Sequence, residues 1–286
     1  MITLKAYAKI NLGLDVLGRE DNGYHIVKMI MQSIDLYDEL SFSKRDDEEI
    51  VINSTNARIP TDHHNLIWKV ADQLRTKFGI KEGVTISLTK NIPMAAGMAG
   101  GSTDAAATYK ALNELWNLGM SKDDMCELGV KLGADIPYCI KGGTALSEGI
   151  GEKLTPIADM PGCHILIAKP KLDVSTAWAY QTLDASPIKE HPDIDGMITA
   201  LENKDLKGIC DRLGNVLEPV TAGKYDVIED IRQIMLSNGA LGARMSGSGP
   251  TVFGIYENKN LAGCEHAVNE LRSRGIAPDL FITKPI

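Results

Sequence analysis

The common nucleotide-binding loops are missing from these 286 residues. There is no Gly-x-x-x-x-Gly-Lys-Ser/Thr loop, no Gly-x-Gly-x-x-Gly fingerprint near the N-terminus, and no protein-kinase signature set. Positive charge is also short, with 30 Lys and Arg against 38 Asp and Glu for a net charge of −8. That balance argues against a broad electrostatic grip on nucleic acid or an anionic membrane, while leaving room for a local basic pocket. Aromatic residues make up only 5% of the chain, so the basic, aromatic surface expected of a nucleic-acid binder is lacking. The five cysteines, Cys126, Cys139, Cys163, Cys210 and Cys264, are odd in number and form no Cys-x-x-Cys pair, which excludes a disulfide framework or a zinc site as the organising device. No apolar run approaches membrane-spanning length, and the segment Met1 to Lys9 has no apolar signal core, so a cytoplasmic location is expected. What remains, 44% hydrophobic and 24% charged, is an ordinary globular chain with ample core material, and its expected partners are small molecules. No obligate protein partner is expected.

Short, partly alternating segments at Ile2 to Tyr7, Asn11 to Val16, Ile26 to Ser33, Glu39 to Ser43 and Ile50 to Asn53 predict five strands, separated by turn residues such as Asp21 to Gly23. Leu66, Ile67, Val70, Leu74 and Phe78 fall on one face of a helix that Gly79 stops. A strand at Val84 to Leu88 follows, then a helix over 102–118, and Ser121 to Asp124 has the form of a capping box for a helix ending near Gly133. Strands are expected at Thr144 to Ser147 and Lys153 to Leu154. Pro156 and Pro161-Gly162 mark a boundary. Beyond it come a strand at His164 to Ala168, a helix capped by Ser175, helical patterns over 193–213 and 224–237, strands at 241–245 and 252–256, a helix over 260–273 and a strand at 280–283. That is the split β-α-β-β-α-β order of a ferredoxin-like domain. The reading is α+β with two domains, 1–157 and 158–286, and no internal repeat.

The most informative segment is Asn91-Ile-Pro-Met-Ala-Ala-Gly-Met-Ala-Gly-Gly-Ser-Thr-Asp-Ala-Ala-Ala107. Gly97, Gly100 and Gly101 let the backbone turn tightly and approach a ligand, and Ala95, Ala96 and Ala99 keep side chains out of the way. The helix that follows points free N–H groups and a positive dipole end at an anion. Ser102 and Thr103 can add hydroxyls to phosphate or to a hydrated magnesium ion.

The pattern Pro-x-x-x-Gly-x-x-Gly-Gly-Ser-Ser/Thr resembles the phosphate loop of the GHMP family of small-molecule kinases. Three further segments resemble that family in its own order along nearly the whole chain: Ala6-Tyr-Ala-Lys-Ile-Asn-Leu-Gly-Leu14, Gly133-Ala-Asp-Ile-Pro137 and Ala243-Arg-Met-Ser-Gly-Ser-Gly-Pro-Thr-Val-Phe253. The resemblance implies a two-domain GHMP kinase fold, a mixed α/β N-terminal domain followed by the ferredoxin-like one. It also implies ATP as co-substrate with Mg2+, without a dedicated protein site for the metal. Asp135 is then the general base and Lys9 its cationic partner. Asn65 and Lys90 are carried onto the adenine pocket, and Pro93, Met94, Ala95, Ala96, Gly97, Met98, Ala99, Gly100, Gly101, Ser102 and Thr103 onto the triphosphate. Asn11, Ser248 and Gly249 fall in segments that face the acceptor.

Gly18-Arg-Glu-Asp-Asn-Gly-Tyr-His25, Asn65 to Lys69 and Val174 to Tyr180 resemble the branch of the family whose acceptor is a cytidyl diphosphate sugar alcohol with a tertiary hydroxyl. Tyr24 can stack on a pyrimidine, His25 can hydrogen-bond its edge, and Tyr180 can offer a second face. Departures from the family pattern are the alanines and Met98 in the loop, Asp104 where Asn is frequent, and Met31 where an aromatic is common. Asp104 is compatible with a triphosphate only if it faces the helix flank or a metal ion. Retention of both Lys9 and Asp135 argues against a non-catalytic sensor, which needs no base.

Overall fold

In the computed structural model, which describes every residue from 1 to 286 except Asn22 and Ser186, the local signals act as their chemistry requires. Asn65 accepts the Ile67 N–H at 2.9 Å and opens α1 (Leu66–Phe78), which Gly79 closes with φ 66°. Ser121 and Asp124 form a reciprocal capping box at the start of α3 (Lys122–Gly129). The phosphate-loop helix is α2 (Gly100–Leu115), and α4 (Ile136–Lys141) follows α3. No helix was expected at α4, because Ile136-Pro137 reads as a turn. Proline is tolerated in a first helical turn, where its missing N–H would have no partner anyway.

The five strands expected over the first 55 residues are instead two long ones, β1 (Ile2–Arg19) and β2 (His25–Arg45), followed by β3 (Ile50–Ser54). Residues that read as strand breakers have tertiary partners. Asp38 accepts the Asn91 and Ile92 N–H groups, and Lys9 Nζ donates to Gly97 O at 3.0 Å. Asn22, within the expected turn at 21–23, lies outside the described residues.

The chain divides into two compact units that are not continuous in sequence. The first comprises Met1–Ala8, Leu36–Ile92 and Ala99–Gly142. Here β3 pairs in parallel with β4 (Gly83–Thr89), and β4 pairs antiparallel with the C-terminal part of β2 from Glu39↔Thr89 to Arg45↔Gly83. Helices α1 to α4 belong to this unit, and its core joins Leu40, Phe42 and Ile86 of the strands to Val70 and Leu74 of α1 and Tyr109 and Leu112 of α2. Burying each such Leu, Ile, Val or Phe contributes about 1.5–3 kcal/mol. The alanines of α2, Ala105, Ala106, Ala107 and Ala111, are all buried.

The second unit comprises Lys9–Asp35, Pro93–Met98 and Gly143–Ile286. In it β5 (Thr144–Gly149) pairs antiparallel with β2 over Val27↔Gly149 to Gln32↔Thr144, and β6 (Lys153–Pro156) pairs with β5. Its second sheet contains β7 (His164–Lys169), β9 (Gly242–Met245), β10 (Val252–Tyr256) and β11 (Asp279–Thr283) in the order β11-β7-β10-β9, all antiparallel. That is the strand order of a ferredoxin-like domain, with α9 (Val227–Ser237) and α10 (Leu261–Ser273) packed on it. Between β7 and β9 lie α5 (Thr176–Leu183), α6 (Ile194–Glu202), α7 (Leu206–Asp211), the two-residue β8 (Gly214–Asn215) and α8 (Glu218–Ala222). The single helical pattern expected over 193–213 is broken into α6 and α7. Lys204 takes φ 53°, and Asp205 recaps the chain by accepting the Gly208 N–H at 2.9 Å. β8 pairs in parallel with β1, Gly13↔Gly214 and Leu14↔Asn215.

Candidate active site

Between Pro93 and α2 the backbone takes the left-handed region at alternate residues: Ala95 at φ 49°, Gly97 at φ 70° and Ala99 at φ 57°. Alternation of right- and left-handed residues is the backbone pattern that can turn successive N–H groups toward one side. Two of the three positions are alanine, so the family's glycines are replaced by residues that carry backbone strain, which is typical of ligand clamps. Ala99 is also the N-cap of α2 and supplies no side-chain capping bond, so no side chain there covers the helix's first N–H groups.

Within the second unit, Pro93, Met94, Ala95, Ala96, Gly97 and Met98 lie with Lys9 and with the turn after β9. Lys9 is 5% exposed; its Nζ donates to Asn11 Oδ1 at 2.6 Å and to Gly97 O at 3.0 Å. Ser246 Oγ donates to the same Gly97 carbonyl at 3.0 Å and accepts the Asn11 N–H at 3.3 Å. Lys9 and Ser246, far apart in sequence, therefore hold one peptide of the loop, and Asn11 bonds to both of them. A Cβ on Gly97 would lie 2.1 Å from Ser246 O, so only glycine fits there. Asn215 Nδ2 donates to Met245 O and Gly247 O, each at 2.8 Å, and fixes the turn from within. Neither Ser246 nor Asn215 was singled out from the sequence. Ser246 stood inside a noted motif, but Asn215 had no local signal. Ser248, expected to face the acceptor, has its Oγ 3.0 Å from Thr176 Oγ1 and its carbonyl on Thr221, and Gly249 takes φ 82° in the turn.

Within the first unit, Gly100, Gly101, Ser102 and Thr103 form the first turn of α2. The hydroxyl proton of Thr103 is committed, since Oγ1 donates to Tyr7 O at 2.7 Å, and Thr103 is buried. Asn65 caps α1 with its Oδ1 and donates from Nδ2 to Pro60 O at 2.6 Å. Lys90 extends into the protein: its Nζ donates to Asp38 Oδ2 and, at 2.9 Å, to Asp104 Oδ2, with all three side chains 5% exposed or less. Asp38 Oδ1 in turn accepts the Asn91 and Ile92 N–H groups at 2.6 and 2.8 Å. Asp104 thus faces the helix flank, one of the two placements compatible with a triphosphate. Burial raises its carboxyl well above the ordinary range, with the neighbouring Asp38 adding to the rise and Lys90 opposing it. Asp38 had no sequence signal. Asp135 caps α4, is half-buried, and uses its backbone carbonyl to accept the Cys139 N–H at 3.0 Å; its carboxylate makes no capping bond.

A third cluster, again within the second unit, surrounds the end of the β1–β2 hairpin. The His25 and Tyr180 rings lie 4.6 Å apart and tilted by 32°, while Tyr24 is 57% exposed. His25 Nε2 lies 2.7 Å from Asp184 Oδ1, and Arg19 Nη1 donates to Asp184 Oδ2 at 3.3 Å. Arg19 Nε also donates to Gly23 O at 3.1 Å. The sequence pointed to the three aromatic rings, but not to the carboxylate that holds one of them. Met31, where the family often has an aromatic, is fully buried on β2 and belongs to the core.

Comparison with known proteins identifies the family. Residues 65–143 match the GHMP kinases N terminal domain, and residues 197–274 match the GHMP kinases C terminal domain. A curated 4-diphosphocytidyl-2-C-methyl-D-erythritol kinase from Lachnospira eligens is 48% identical over 99% of this chain and 98% of its own length. One of the same name from Clostridioides difficile is 52% identical over 90% of this chain and 88% of its own. A crystal structure of 4-(cytidine 5'-diphospho)-2C-methyl-D-erythritol kinase superposes with a TM-score of 0.82 at 28% identity, covering 99% of each chain. A homoserine kinase from Cytophaga hutchinsonii shares the fold at 20% identity, with a TM-score of 0.76 over 98% of this chain and 94% of its own. With a nearly full-length relative at this identity and both halves of the family pattern present, the chain belongs to the GHMP kinase family.

Proposed function

We propose that this GHMP kinase transfers the γ-phosphoryl group of ATP to the 2-hydroxyl of 4-diphosphocytidyl-2-C-methyl-D-erythritol, a step in the non-mevalonate route to isoprenoid precursors. The observation that carries the reading is the 48% identity, over 99% of the chain, to a kinase of that name. The loop supports the phosphoryl-transfer half of it through its alternating left-handed residues and the helix start at Ala99. The chain is read as two domains, 1–157 and 158–286, working in the cytoplasm on small molecules without an obligate protein partner.

In this reading the N–H groups of residues 94–101 bind the triphosphate, and phosphoryl transfer is achieved mainly by positioning and charge neutralisation. A tertiary alcohol is crowded and weakly acidic, so Asp135 takes its proton as the hydroxyl oxygen attacks phosphorus and the bond to the β-phosphate oxygen breaks. Lys9, oriented by Asn11 and Gly97 O, offsets negative charge building on the acceptor oxygen. Asn65 and Lys90 flank the adenine, with Lys90 contributing through its backbone since its ammonium is held by two carboxylates. Asn11, Tyr24, His25, Tyr180, Ser248 and Gly249 serve the acceptor.

Magnesium fits this arrangement as a passenger on the triphosphate. Among the described residues, the one cluster of three or more His, Cys or acidic groups close enough to share an ion is Asp62, His63 and His64, outside the loop. The ion commonly keeps several waters and binds through phosphates with one or two protein groups, a role open to the Ser102 hydroxyl. Its chemistry when bound is neutralisation of the β- and γ-phosphate charge, so excess chelator is expected to abolish ADP formation.

The deciding assay couples ADP release to the purified chain supplied with ATP and the cytidyl substrate. Turnover is expected with that substrate and far slower turnover with methylerythritol phosphate, because the nucleotide is a remote handle whose binding energy orients the reacting hydroxyl. Tyr24→Ala should lose the ~1–3 kcal/mol typical of base stacking on the full substrate only. Faster turnover of homoserine or mevalonate would place the chain on another branch. Gly97→Ala tests the loop: the strain of roughly 1–3 kcal/mol that a left-handed residue carries is compounded by the clash with Ser246 O, so the KM for ATP should rise by about tenfold or more.

A further inference from the structure

We infer that Asp184 is the residue that makes this site choose cytosine over uracil, by fixing which nitrogen of His25 carries the proton. The inference rests on the cytidyl-substrate reading above and adds to it a positioning residue and a basis for specificity.

A neutral imidazole has one N–H donor and one lone-pair acceptor, and the partner of one nitrogen decides the role of the other. His25 Nε2 lies 2.7 Å from Asp184 Oδ1, and an ionised carboxylate only accepts, so the ring proton belongs on Nε2. Arg19 Nη1, 3.3 Å from Oδ2, helps keep the carboxylate oriented, and the same guanidinium reaches Gly23 O in the β1–β2 turn. Tyr180, from the same helix α5 that ends next to Asp184, lies against the His25 ring at 4.6 Å. The side chain of His25 is 12% exposed, and its ring is held both by the carboxylate and by the aromatic face.

The consequence falls on Nδ1, which is left as an acceptor. Cytosine presents an exocyclic amine donor at C4, whereas uracil presents a carbonyl acceptor at the equivalent position. A base edge read by an acceptor pairs with the amine and meets the carbonyl lone pair to lone pair. Sites built to hydrogen-bond one group discriminate strongly against an analogue that leaves the partner unpaired. Neither Tyr24 nor Tyr180 can make this distinction, because stacking is tolerant of the base.

Asparagine at 184 allows the opposite arrangement. Its amide can donate to Nε2, which then becomes the acceptor and moves the proton to Nδ1. The experiment compares kcat/KM for the cytidyl substrate and its uridyl counterpart in wild type, Asp184→Asn and Asp184→Ala, alongside nitrogen and carbon NMR of the His25 ring in the full chain. Wild type is expected to show the Nε2–H tautomer and to favour the cytidyl substrate by about 10²-fold or more. Asp184→Asn should shift that ratio at least tenfold toward the uridyl substrate and populate Nδ1–H, with Asp184→Ala in between. Equal loss on both substrates with the ratio unchanged, or an Nδ1–H tautomer in wild type, overturns the inference. A wild-type chain that phosphorylates neither substrate overturns the substrate reading itself, and with it the base that His25 is inferred to read.

Discussion

Asp135→Asn is expected to lower kcat by about 10²–10⁴-fold, the range for loss of a general base, while thermal stability and ATP affinity hold. The structure explains why the two effects should separate. Asp135 opens α4 through its backbone, whose carbonyl accepts the Cys139 N–H at 3.0 Å, and its carboxylate makes no capping bond. Asparagine keeps the shape and removes the basicity. The measurement is single-turnover phosphoryl transfer with nucleotide binding followed in parallel. Near-normal turnover would remove Asp135 from the chemistry, and a large fall in melting temperature would assign it a structural role. Lys9→Ala should also reduce kcat more than it weakens ATP binding. Loss of nucleotide binding alone would place Lys9 with the triphosphate, through its bond to Gly97 O.

The second large effect is on stability. Lys90→Met should destabilise the fold by about 3–5 kcal/mol, the cost of removing one partner from a buried ion pair. Asp38 and Asp104, with side chains 0% and 5% exposed, would be left without their shared cation. Loop geometry should suffer as well, because Asp38 holds the Asn91 and Ile92 N–H groups and Lys90 Nζ would lie 3.0 Å from a Cβ on Gly100.

The pH dependence has a definite sign. The Asp104 carboxyl is raised in the folded state chiefly by burial, so the folded protein retains a proton that the unfolded chain releases. Its contribution is fully present below the ordinary carboxylate range and is lost as pH rises through the raised value. Without Lys90, the one group that lowers this value, the loss should deepen, and the variant should recover toward wild type in mildly acidic solution. Urea midpoints across the acid-to-neutral range test this. A variant as stable as wild type at neutral pH, or one that acid destabilises further, would show that the three groups do not act as a buried charge cluster.

How much was legible beforehand depended on how far apart the interacting groups lie. The loop at 91–107, the caps at Asn65 and Ser121, and the β-α-β-β-α-β order of the C-terminal part all arise from residues within a few positions of each other, where turn chemistry and periodicity leave a trace. Helix α4 was missed because a proline in a first turn and a proline in a loop read alike. The long strands β1 and β2 were divided at polar residues that only tertiary partners make acceptable there.

The sequence by itself determined the turn-forming loop before α2, the helix starts at Asn65 and Ser121, and the α+β class, since dihedral preference and hydrophobic period are local properties. Tertiary structure alone decided what the polar side chains do. Lys90 went to Asp38 and Asp104, 52 and 14 residues away; Ser246 went to Gly97 across 149; and His25 went to Asp184 across 159. A buried donor or acceptor must be paired, but any of many residues can pair it, and folding selects which one arrives.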